Sequence, residues 1–211
     1  MKGEYEFSSF VKKYYKERFD EHGPTPQGVD WNGSESQNLR FQVMFDMVSN
    51  QFSNDTRLLD YGCGYGELAR FLHKNLYSGT YIGYDLVSDS ISFAKQKYIR
   101  QENISFLNHL DGNTKYDFIF ASGVFNIYPG DSKEWLSSYV RICLLEMLGL
   151  SDVIIVNFLK PNPTRLTPKL FFPSQAEVES VLPDNFHITN VSDDYGLWEW
   201  TAILERKELT R

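Results

Sequence analysis

An apolar pair, Leu58-Leu59, runs into Asp60-Tyr61-Gly62-Cys63-Gly64-Tyr65-Gly66, and Glu67-Leu68-Ala69-Arg70 continues with helix-forming residues. No other stretch restricts the fold as strongly. Glycine at every second position lets the backbone turn tightly and approach a ligand with no side chain in the way. A short buried strand that opens through such a loop into a helix N-terminus builds the cradle for nucleotide-type cofactors in open α/β sheets.

The segments around this loop fit that architecture. Strand-like runs at 57–61, 80–84, 104–107, 116–121 and 153–158 alternate with helix-like runs at 66–76, 89–100 and 132–148, and Gly149 stands where a helix C-cap is expected. Such alternation predicts a parallel sheet with helices on both faces. Ser174-x-x-Glu177 has the form of a capping box and opens a short helix before Pro183. Two β-like segments then follow with no helix between them, Phe186–Val191 and Trp198–Glu205, which predicts an antiparallel hairpin closing the sheet. Upstream, Phe7, Phe10, Val11, Tyr14 and Tyr15 have helical spacing over 7–19. Residues 20–33 read as loop, and Ser34-x-x-Gln37 has capping-box form for a helix reaching about Asn50.

With 211 residues, 42% hydrophobic and 16% aromatic, the chain can bury one sizeable core. It contains no apolar run of about 18 residues, so no membrane span is expected. The opening residues lack an apolar signal region, and Cys63 and Cys143 form no CxxC, so a reducing cytoplasm is expected and no zinc site or disulfide framework is. A net charge of −7 argues against a broad nucleic-acid surface.

The glycine spacing leaves two cofactor readings. Gly64-x-Gly66-x-x-Ala69 satisfies the dinucleotide fingerprint, so an NAD(P)-dependent oxidoreductase is one. That register leaves Asp60 and Gly62 unexplained. The full run Asp60-x-Gly62-x-Gly64-x-Gly66 resembles motif I of the class I S-adenosylmethionine (SAM)-dependent methyltransferases, and the terminal hairpin resembles the reversed last strand of their sheet. The resemblance covers roughly residues 55–206, with 1–54 as a helical cap of the same domain. It implies a single Rossmann-like, doubly wound sheet of about seven strands, mostly parallel with an antiparallel last strand.

SAM, with S-adenosylhomocysteine (SAH) as product, is the cofactor that the resemblance implies. It places Gly62, Cys63, Gly64 and Gly66 in the cradle and Asp60 beneath the loop near the cofactor's ammonium. Asp85, ending Tyr81-Ile82-Gly83-Tyr84-Asp85-Leu86, suits a ribose diol in both readings, with Leu86 beside it. Asp111 is a candidate for the adenine amino group or a plain turn acid before Gly112. Arg40 is a candidate for the carboxylate or a surface ion-pair partner. Ser122 follows the fourth strand, at the ligand end of the sheet.

The methyl acceptor is expected between the cap and Ser122–Tyr128. The motifs of amino-methylating nucleic-acid enzymes and of cytosine-C5 nucleophiles are absent, and no metal site is indicated. A small-molecule acceptor, with O-methylation ahead of N-methylation, is the leading expectation. Methyl transfer from a sulfonium depends mainly on orientation, and a base is needed only where the acceptor keeps its proton. His22, Tyr14 and Tyr128 are the catalytic candidates. Trp31, Asn126 and Arg165 are substrate-binding candidates, the last in a cation-bearing, proline-rich stretch suited to an anionic acceptor. A non-catalytic SAM-binding module is the alternative from another class.

Overall fold

A computed structural model describes residues 2–130, 132–160 and 169–207. Seven strands form one sheet: β1 (Arg57–Tyr61), β2 (Thr80–Tyr84), β3 (Ile104–Leu107), β4 (Phe118–Ala121), β5 (Val153–Leu159), β6 (Phe186–Ser192) and β7 (Glu199–Arg206). Their order is β3-β2-β1-β4-β5-β7-β6. The first five pair in parallel, and β7 runs antiparallel between β5 and β6. The hairpin expected from sequence therefore inserts its second strand into the sheet, as in the resembled family.

The parallel strands are buried on both faces, which demands continuous apolar runs rather than alternation. Successive residues serve opposite cores. Leu59, Ile119, Ala121, Ile154 and Val156 meet α1 (Lys2–His22), α6 (Arg141–Leu150) and α7 (Gln175–Glu179). Leu58, Phe118, Phe120 and Ile155 meet α2 (Ser34–Val48), α3 (Glu67–Lys74) and α4 (Ser88–Lys97) on the other side.

Four local expectations are corrected. The first helix runs to His22, beyond 7–19, because no breaker intervenes before Gly23, whose amide closes the helix on Phe19 O at 2.8 Å with φ 64°. The Ser34 capping box does not form. Gly33 is the N-cap, and the Gln37 side chain turns inward, where its Oε1 accepts from the Tyr65 hydroxyl at 3.1 Å. The helix expected over 132–148 is α5 (Ser132–Trp135), one π-helical stretch over Leu136–Val140, and α6. Gly149 lies inside α6, and Ser151 ends it by donating to Asp117 O and accepting from Val153 N–H. At Ser174 the capping box is fully formed. No helix among the described residues is long and apolar enough to cross a membrane.

Candidate cofactor and acceptor site

The C-terminal ends of β1, β2 and β4 open into a cleft of about 920 Å³, its solvent-facing mouth included. Its floor is the β1 loop. Gly62 and Gly64 adopt φ of 81° and 53°, a left-handed conformation that side chains resist. A Cβ on Gly62 would come within 2.7 Å of Val124, and one on Gly64 within 2.8 Å of Val29, so the loop is pressed from both sides. The amides of Gly62 and Cys63 both donate to Tyr84 O, at 2.7 and 2.9 Å. Asp85 adds a second clasp, Oδ2 accepting from Gly64 N–H and Oδ1 from Val87 N–H, both at 2.8 Å. The loop is thus shaped by the end of β2 as much as by its own sequence.

Asp60 sits under the loop, 3% exposed, and accepts from the Tyr81 hydroxyl at 2.6 Å. Burial pushes its carboxyl up to about 7, against the opposing pull of the Tyr81 bond. Asp85 is also raised by burial, opposed by the Val87 and Gly64 amides. Burial pushes the Cys63 thiol well up, which makes it an inert wall rather than a nucleophile.

Asp60, Gly62, Cys63, Gly64, Asp85, Leu86, Ser122 and Trp31 all line this one cleft. The remaining candidates stand elsewhere. Gly66 is one layer back as the N-cap of α3, its carbonyl accepting from the Tyr98 hydroxyl at 2.8 Å. Asp111 is exposed and holds its own turn through Asn113 N–H and Thr114 N–H, which lowers its pKa; it does not line the cleft. Arg40 is neither a surface pair nor a lining residue. It is buried, Nε donating to Glu199 at 2.8 Å, with its guanidinium 3.9 Å from the centre of the Trp31 ring. Its Nη1 is buried with no partner, so it retains a donor for a carboxylate.

The three catalytic candidates also lie outside the lining. The Tyr14 hydroxyl donates to Asp30 Oδ2 at 2.8 Å and is pushed up to about 12 by burial and that contact. The His22 Nε2 lies 3.6 Å from Glu21 at the end of α1. Tyr128 packs on Phe171, ring centres 6.2 Å apart, and donates its amide to Lys169 O. Asn126 is half-buried behind Gly123, its carbonyl accepting from Phe171 N–H. Arg165 lies outside the described residues.

A cap over the acceptor is expected from sequence, but most of the residues that form the roof are not among the site candidates. Val11, Lys12 and Tyr15 from α1, Val29 from the turn over Pro26–Val29, and Tyr139 from the π-helical stretch all line the cleft. A π turn re-aims side chains within a helix and is frequent at functional sites. Here it carries Tyr139 inward, while Trp135 stacks behind it at 4.4 Å.

The chemistry of this set decides between the two cofactors. Dinucleotides bring a doubly charged diphosphate to the loop–helix junction. This junction carries the buried Asp60 below, where an anion would sit, while Glu67 in the first turn of α3 is paired with Arg70 and Lys97. A ligand with an ammonium, a sulfonium and a ribose diol suits Asp60 and Asp85. The residues fit SAM: the cleft presents the Asp85 carboxylate as an acceptor for a diol, a glycine turn with no side chain in a ligand's way, and an orphaned Ser122 Oγ. Among the described residues no cluster of three or more His, Cys, Asp or Glu is placed to hold a metal.

Comparison with known proteins agrees. The model of a methyltransferase-domain family matches residues 34–143, just over half of the chain. The chain is 26% identical over 118 residues to a malonyl-[acyl-carrier protein] O-methyltransferase of Priestia megaterium, covering 54% of this chain and 42% of that protein. It is 30% identical over 91 residues to a fatty-acid O-methyltransferase of Mycolicibacterium smegmatis, covering 43% and 32%. The matched segment thus spans less than half the length of either relative. The crystal structure of the N-methyltransferase NodS from Bradyrhizobium japonicum, in complex with SAH, superposes with a TM-score of 0.66 over 94% of this chain and 99% of that one at 13% identity, a likeness of fold. With the loop, its two acids and the inserted β7 in place, the chain belongs to the class I SAM-dependent methyltransferase family.

Proposed function

We propose that the protein transfers the SAM methyl group to the oxygen of a small organic acceptor held under the cap. The observation that carries this reading is that α1 and the turn over Pro26–Val29 line the same cleft as the glycine loop. The roof is largely apolar and aromatic, through Val11, Tyr15, Val29, Trp31 and Tyr139, with Lys12 as the one cation among the described lining residues. When bound, SAM supplies an activated methyl; the chain orients the acceptor against it and excludes water.

The acceptor oxygen is best one already ionised at neutral pH, a carboxylate before others. Tyr15 and Tyr139 are both raised by burial, so each keeps its proton and serves as a donor, not a base. A carboxylate needs no base, and Lys12 offers it a positive charge. Both curated relatives are named for O-methyl transfer, which supports the same atom. Arg40, through its free Nη1, is proposed to meet the SAM carboxylate.

The test is methyl transfer from labelled SAM across a panel of carboxylic acids, phenols and amines, alongside SAH calorimetry. Turnover of carboxylic acids with ester formation is expected. Turnover confined to amines would overturn the oxygen assignment, and absence of SAH binding would overturn the reading altogether.

A further inference from the structure

Behind the acceptor side of the cleft lies a buried polar circuit, of which the proposed function uses only the Arg40 Nη1. It is centred on Glu199, the first residue of β7, which is 0% exposed. β7 is antiparallel to β5, with Leu159 opposite Glu199. Its beginning therefore lies at the end of the sheet where the parallel strands finish. One carboxylate oxygen, Oε2, accepts from Arg40 Nε at 2.8 Å and from Asn157 Nδ2 at 3.2 Å. Asn157, also 0% exposed, uses its Oδ1 to accept from Gly123 N–H at 2.7 Å. The amide orientation is fixed by chemistry, since a backbone N–H only donates and an ionised carboxylate only accepts.

Both arms end on a wall of the cleft. One runs through Asn157 to Gly123, held at φ 74° in the turn after β4. The other runs through Arg40 to the face of Trp31. The two arms then meet, because a Cβ on Gly123 would lie 2.3 Å from the Trp31 ring. The Tyr15 hydroxyl donates to Gly123 O at 3.4 Å, so the cap helix grips the same residue.

We propose that Glu199 is a positioning residue of the methyl-transfer site. Its carboxylate fixes the Gly123 turn and the Trp31 indole together, and so sets the acceptor compartment's width. The proposal rests on the reading of that compartment as the acceptor site. A buried ion pair is weak evidence for stability, since apolar replacement of both partners is often neutral. Its value here is registry: a single oxygen ties the cap to the sheet.

The test is hydrogen exchange on the full chain, with and without SAH, for wild type, Glu199→Gln, and the double variant Arg40→Met with Glu199→Gln. The double variant removes both charges and keeps the measurement available where the single variant is too unstable to fold. Without SAH, exchange at Trp31 and Gly123 is expected to quicken at least about tenfold in each folded variant, with the Gly62 and Gly64 amides unchanged. The double variant is expected to melt close to wild type and still exchange fast at both residues. Wild-type exchange there in the double variant, or acceleration spread evenly over the sheet, would falsify the proposal. SAH calorimetry on the wild type judges the cofactor reading separately, because the exchange comparison needs no ligand.

Discussion

The two walls of the cleft are built by different means. The cofactor wall is local: Asp60–Gly64 and Asp85–Val87 lie on adjacent strands and are joined by backbone amides bonding to Tyr84 O and the Asp85 carboxylate. The wall proposed to face the acceptor is assembled from α1, the 25–31 turn, the end of β4 and the π-helical stretch, and its ties are side chains such as Arg40 and Glu199, 159 residues apart. A wall made of backbone is dictated by where glycine is needed. A wall made of long side chains is dictated by how distant elements dock.

This contrast can be broken or sharpened at specific residues. The largest expected effect is the pH dependence set by Asp60. Folding raises its carboxyl from 3.8 to about 7. Between about pH 4 and 7 the folded state holds the proton that the unfolded chain has released, so stability falls as pH rises through that window. The loss is on the order of 4 kcal/mol. Asp60→Asn should flatten this slope in denaturant melts at pH 5 and pH 8; an unchanged slope would show that another group causes it.

Next, Asp85→Ala removes the proposed ribose acceptor and the clasp on Gly64. SAH affinity by calorimetry should fall at least about 100-fold, as expected for two hydrogen bonds to a charged group. Gly62→Ala should cost about 1–3 kcal/mol in chemical denaturation, from its left-handed φ and the Val124 clash. On the acceptor wall, Trp31→Ala should weaken SAH by no more than about tenfold while abolishing most methyl transfer, the signature of lost orientation. A larger loss of SAH affinity would place Trp31 on the cofactor wall. The smallest effect is expected for Asp111→Ala, which should change SAH affinity less than about twofold, as for exposed substitutions remote from a site. A large loss would restore its adenine role.

The sheet and the cofactor wall were legible because both leave periodic marks. Buried strands require unbroken apolar runs, and the loop requires glycine at its left-handed positions. The acceptor wall leaves no such mark. Glu199 stands between Trp198 and Trp200 and reads as the outward residue of an alternating strand, yet β7 is covered on both faces there. Tyr14 and Tyr15 are neighbours on one helix and point about 100° apart. Only the docking of α1 decides that Tyr15 meets the cleft and Tyr14 meets Asp30. For Asp111 the sequence allows an adenine ligand or a turn acid, and the bonds it makes in its Asp-Gly turn agree with the second.

The insertion of β7 between β5 and β6 has a consequence for how the protein is made. Residues 57–87, which carry most of the cofactor wall, leave the ribosome before β7 and pair across a much shorter stretch of chain. The Arg40–Glu199 tie must wait for β7 and close a far longer loop. A nascent chain is therefore expected to acquire its cofactor cradle well before its acceptor compartment. Synthesis itself would then order the two halves of the site in time.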